Sequence, residues 1–132
     1  MYMKFIFAPI VVLLLAGCAT SRNTTTLTPL DNGHELKVAV GHVLVVELPS
    51  NHTTGYSWGY RPAEAPVLEP VGEAAYMQDS SPFGMVGVGG TDIWRFRAVK
   101  VGRQALRLEY GRPWEKGSVP VKTVSYEVEV IP

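Results

Sequence analysis

The residues best able to do chemistry are few, and they are not spaced to do it together. His34, His42 and His52 lack the close spacing of metal ligands, and no serine sits in a nucleophile elbow. The stretch "SPFGMVGVGGTDIW" holds Gly84, Gly87, Gly89 and Gly90, but no Lys-Ser/Thr pair follows. It runs into a strand-like segment, so no helix N-terminus would face an anion; a flexible loop or a close backbone approach is left. Hydrolase, metalloenzyme and phosphate-loop chemistry therefore lose their candidates, and the expectation is a protein that is not an enzyme and carries no cofactor or metal.

What remains is recognition. The stretch "NHTTGYSW" sets the hydroxyls of Thr53 and Thr54 between His52 and Gly55. By itself it reads as a turn: Asn51 favours turn geometry, Gly55 supplies a positive φ, and Tyr56 and Trp58 alternate inward. A second stretch, "YGRPWEKG", offers a cation at Arg112, a fixed φ at Pro113 and a large aromatic surface at Trp114, a composition enriched at interface hot spots. The competing reading folds the tryptophan back on the domain with Arg112 stacked over it.

These stretches must be held by something, and the pattern from His34 onward has a period of two rather than 3.6. Val124, Tyr126, Val128 and Val130 alternate with Ser125, Glu127 and Glu129; Trp94, Phe96 and Ala98 alternate with Arg95 and Arg97; Leu106, Leu108 and Tyr110 alternate with Arg107 and Glu109. Each reads as a strand with one buried and one wet face. Adding Glu35 to Val40, Val43 to Leu48, Gly55 to Tyr60 and a strand within Val67 to Gln78 gives about seven strands, an all-β sandwich. If successive strands run antiparallel, the connections Pro49 to Thr54, Asp79 to Thr91 and Gly111 to Pro120 share one end. Function on sandwiches often resides in loops clustered that way.

The whole chain has 132 residues, enough for one ordinary domain, and 12 basic against 12 acidic residues leave no net charge. No nucleic-acid partner is expected without a basic footprint. Lys4 followed by the apolar run Phe5 to Ala16 reads as an export signal, too short for a helix of about 20 residues to span a bilayer. Leu15, Ala16, Gly17 and Cys18 resemble the lipobox of bacterial lipoproteins, which implies cleavage before Cys18 and lipid on its thiol. The expected organisation is a signal peptide over 1–17, a flexible tether over 18–33 and a domain over 34–132. Ala19 after the cysteine implies the outer membrane, facing the periplasm; a monomer is expected.

The Asn-x-Thr-Thr-Gly-Tyr loop, the Gly-x-Gly-Gly loop and the Arg-Pro-Trp loop, in this order on this scaffold, resemble the chagasin family of cysteine peptidase inhibitors. The resemblance runs from about His34 to Pro132. It implies an immunoglobulin-like β-sandwich of about seven antiparallel strands and a partner, a papain-like cysteine peptidase, whose active-site cleft takes the three loops. Asn51, His52, Thr53, Thr54, Gly55 and Tyr56 would form the first, with the two threonines at the catalytic cysteine and histidine. Gly87, Gly89 and Gly90 would let the second lie against the enzyme's substrate-binding strand. Arg112, Pro113 and Trp114 would pack on the other wall. The family usually has proline where this chain has His52, which implies a more mobile loop and a group that charges near pH 6.5. The alternative is a non-inhibitory, immunoglobulin-like envelope module using the same loops.

Overall fold

The computed structural model describes residues 23–80 and 88–132. Nine strands are present: β1 (Thr24–Leu27), β2 (Glu35–Ala39), β3 (Val43–Ser50), β4 (Ser57–Arg61), β5 (Leu68–Pro70), β6 (Ala75–Gln78), β7 (Gly90–Ala98), β8 (Gly102–Gly111) and β9 (Lys122–Ile131). Among the described residues these nine strands form two sheets. One has the order β1-β3-β7-β5, with β6 also paired to β7, and the other has the order β2-β9-β8-β4. This is the expected immunoglobulin-like sandwich, built from the expected alternation. Val124, Tyr126, Val128 and Val130 of β9 and Leu106 and Leu108 of β8 face Leu44, Val46 and Leu48 of β3 and Phe96 of β7 in a closed core.

Three details differ from the sequence expectation. The segment within Val67 to Gln78 is two strands, β5 and β6, which pair antiparallel with successive parts of β7. Not every pairing is antiparallel, since β1 runs parallel to β3 and β2 parallel to β9. The tether expected over 18–33 is structured from Thr24 onward. β-branched threonines suit an extended strand, Leu27 turns into the core, and the following turn Pro29–Asp31 is capped by Thr28, whose side chain accepts from the Leu30 N–H. Tyr126 then donates its hydroxyl to the Thr28 carbonyl at 2.8 Å, and Asn32 Oδ1 accepts from the Ser125 N–H at 2.8 Å. The residues of this segment that precede Asn23, Cys18 among them, lie outside the described residues, as does the signal segment.

Because β5 and β6 run the same way, the parity argument survives the extra strand. β3 rises to its connection with β4, β6 rises to its connection with β7, and β8 rises to its connection with β9. All three connections leave the sandwich at one end.

Candidate functional site

The first of these loops is built from its own hydrogen bonds. Asn51 caps a single 3-10 turn over His52–Thr54: its side-chain oxygen accepts from the Thr53 N–H at 3.1 Å and from the Thr53 hydroxyl at 2.6 Å. The Thr54 hydroxyl donates to the Asn51 carbonyl at 2.6 Å, and Gly55 closes the turn at φ +82°, in the left-handed region. Both threonine side chains stay exposed at the tip.

The stem of the loop is fixed from below. Trp58 is buried, and its indole N–H donates to the Pro49 carbonyl at 2.9 Å across the base of the loop. The Asn51 N–H donates to the Tyr110 hydroxyl of β8 at 3.1 Å. Tyr56, expected as a strand anchor, lies just before β4, half-buried and stacked on Tyr110 at 5.5 Å between centroids. Both aromatics therefore hold the loop to the core, as their inward alternation implied.

The third loop touches the first. The guanidinium carbon of Arg112 lies 4.6 Å from the centre of the Tyr56 ring, and the Arg112 Nη1 donates to Glu115 at 3.1 Å. Trp114 is 64% exposed, yet one edge of its indole covers Gly55 so closely that a Cβ there would overlap the ring. The fold-back arrangement is thus only partly realised: the cation stacks on Tyr56, and the tryptophan rests on glycine while keeping most of its surface free. Pro113, between them, is exposed.

The second loop is described only at its two stems. Gly87 lies outside the described residues, as does Gly84. Gly89 is half-buried at the loop mouth, where its carbonyl accepts from the Asp79 N–H at 2.9 Å. Gly90 has a role inside the fold. It belongs to β7, paired with Ser50 on one side and Gln78 on the other, and a Cβ would collide with the Met77 carbonyl and the Tyr76 ring. Its missing side chain serves internal packing.

Two residues that the sequence reading passed over hold the first loop to the base of the second. Asp92 occupies an inward position of β7, two residues before Trp94 in the same alternation, and is 3% exposed. One carboxylate oxygen accepts from the Trp58 N–H at 3.2 Å, and the other lies 2.8 Å from His52 Nε2. Tyr76 of β6 stacks on the His52 ring, centroids 3.8 Å apart and planes 9° from parallel. The His52 side chain is thus held on two sides. A charged residue at an inward strand position was the available signal, since a buried charge needs a partner.

Among the described residues, no group of three or more His, Cys, Asp or Glu side chains is placed to hold a metal ion, and no helix is long and apolar enough to cross a membrane. What the loop end offers is shape, hydroxyls and an aromatic surface on a stiff frame. The family model described as chagasin family peptidase inhibitor I42 matches residues 37–128. The chain belongs to the chagasin family. It is therefore placed among inhibitors rather than enzymes. Chagasin of Trypanosoma cruzi is 34% identical to it over 92 residues, covering 67% of this chain and 81% of chagasin. Amoebiasin-2 of Entamoeba histolytica is 28% identical over 109 residues, covering 79% of this chain and 83% of that protein. The crystal structure of a cysteine protease inhibitor from Entamoeba histolytica matches with a TM-score of 0.70 at 27% identity, covering 82% of this chain and 96% of that one. The chagasin-family match spans β2 to β9 and includes all three loops.

Proposed function

We propose that this chain is a reversible, competitive inhibitor of papain-like cysteine peptidases, acting by insertion of the loops around Thr53, Gly89 and Trp114 into the active-site cleft. The observation that carries this reading is the state of the first loop. A papain-like enzyme needs an acyl carbon about 3 to 3.5 Å from its thiolate, with the carbonyl oxygen aligned on the oxyanion donors. Here the Asn51 carbonyl already accepts from the Thr54 N–H at 3.2 Å and the Thr54 hydroxyl at 2.6 Å, and the His52 carbonyl accepts from the Gly55 N–H at 3.0 Å. The Asn51 and His52 carbonyls, turned into the 3-10 turn, are withheld from the oxyanion donors. The tip can fill the cleft without presenting a bond in line for attack.

The threonine hydroxyls have their hydrogens committed within the loop, so toward an enzyme they offer lone pairs. A protonated catalytic imidazole is a matching donor. Trp114, exposed beside the tip, supplies apolar contact on one wall, with Arg112 and Pro113 setting its position. Three loops on one rigid frame suit an interface of about 1,600 Å² in total, the size common to protease–inhibitor pairs. Preorganisation lowers the ordering cost of binding, and the expected Ki for a papain-like enzyme is about nanomolar or tighter. Titrating papain with the protein should raise the apparent KM for a peptide substrate at constant kcat, with activity regained on dilution. No inhibition at micromolar protein would overturn the reading.

The same proposal includes an anchor: export, lipid on Cys18 and an outer-membrane location facing the periplasm, with the inhibitor as a monomer. The lipobox-like run Leu15 to Cys18 supports it, as does the path of the chain that follows. The Asn23 carbonyl accepts from the Val43 N–H at the start of β3, the end of the sandwich away from the loops. A lipid-held chain would then point its loops away from the membrane. Cys18→Ala should move the protein from the membrane to the soluble fraction of the producing cell; retention in the membrane would remove the anchor.

A further inference from the structure

We propose that His52 is a positioning residue for inhibition: by bridging to Asp92 and stacking on Tyr76, it sets the angle of the Thr53–Thr54 tip and ties the first loop to the strands that carry the second. The inference rests on the inhibitory reading above and adds to it a residue that works through its neighbours.

The geometry is specific. A carboxylate only accepts, so His52 Nε2 must carry the hydrogen on the 2.8 Å contact with Asp92 Oδ1. Asp92 itself is fixed, with its other oxygen held by the Trp58 N–H at 3.2 Å. The ring cannot swing about that bond without leaving Tyr76, 3.8 Å away and nearly parallel. His52 is the first residue of the 3-10 turn, so its side chain fixes the point from which Thr53 and Thr54 project. A proline at this position would restrict the loop through its own φ. Here the restriction comes from contacts with β6 and β7.

The test uses the protein and its His52→Ala, His52→Pro and Asp92→Asn variants, with Ki against papain and amide exchange at Thr53, Thr54 and Gly55. His52→Ala should weaken inhibition about tenfold and speed exchange of the three amides by a similar factor, as expected for loss of a hydrogen bond to a charged group. Asp92→Asn should add little on top of His52→Ala, since the two remove one interaction. His52→Pro should recover most of the affinity and be indifferent to Asp92→Asn. Equal inhibition and equal exchange in wild type and His52→Ala would overturn the proposal, as would strict additivity with Asp92→Asn. If the wild type fails to inhibit papain, the inhibitory reading falls and exchange decides the positioning role alone. Faster exchange in His52→Ala would then sustain it, and unchanged exchange would remove it.

Discussion

Gln104 and Asp92 are polar side chains buried at inward strand positions at opposite ends of the sandwich, and the two are used in opposite ways. At the end away from the loops, Gln104 of β8 is 4% exposed; its oxygen accepts from the N–H groups of Val67 at 2.9 Å and Leu68 at 3.1 Å, and its amide donates to the Tyr60 hydroxyl at 2.8 Å. Every partner is part of the frame. At the loop end Asp92 is equally buried, but only one of its oxygens serves the frame; the other reaches His52, whose side chain is 38% exposed. A neutral amide closes one end by satisfying backbone that would otherwise be orphaned, while a carboxylate at the other extends the rigidity of the core into a loop. The same fold thus uses one buried polar group to close an end and another to support a working loop.

The contrast is broken most directly by Gln104→Ala. It would leave two buried N–H groups without an acceptor and should cost about 3 kcal/mol of stability, lowering Tm by roughly 15 °C in thermal unfolding while leaving the Ki of the folded protein unchanged. A small Tm shift would deny the closed end its role. Trp114→Ala should do the reverse, weakening inhibition by about 2 kcal/mol, or roughly thirtyfold, with little change in Tm because the ring is mostly exposed. Unchanged Ki would make the indole a cover for Gly55 and nothing more. Gly55→Ala sharpens the comparison further, since the left-handed φ and the overlap with Trp114 both oppose a Cβ. We expect about 1 kcal/mol lost in stability and a weakening of inhibition of about fivefold, measured by denaturant unfolding and enzyme titration.

The smallest effect concerns neither end but the segment after β1. Burial, with a lesser push from Asp31, raises the Tyr126 hydroxyl from 10.0 to about 12. The folded protein therefore favours the neutral phenol, so this contribution is whole below pH 10 and is lost as pH rises toward 12. Denaturant midpoints should fall over that window in the wild type and flatten in Tyr126→Phe; parallel profiles would assign the alkaline loss to other groups.

Much of this was legible in the chain because its signals are local. The alternations of β7, β8 and β9 marked both faces of the core, and strand parity brought the three loops to one end. β1 was not legible, because a threonine-rich run before the domain has a linker's composition and becomes a strand only by pairing with Val43 to Val46 of β3. Nor was the role of Gly90, whose need for glycine comes from Tyr76 and Met77 on a neighbouring strand. His52 read as a loosening of the loop because the residues that hold it are distant in sequence. Carrying the alternation of Trp94, Phe96 and Ala98 one step back would have put Asp92 inside and raised the question of its partner.

Hydrogen exchange on the complex with papain tests the central claim most directly. The account predicts protection at Asn51 to Tyr56, at Gly89 and at Arg112 to Glu115, with no change at the opposite end around Val40 to His42 and Val99 to Val101. Protection at that opposite end, or none at the Thr53–Thr54 tip, would contradict it.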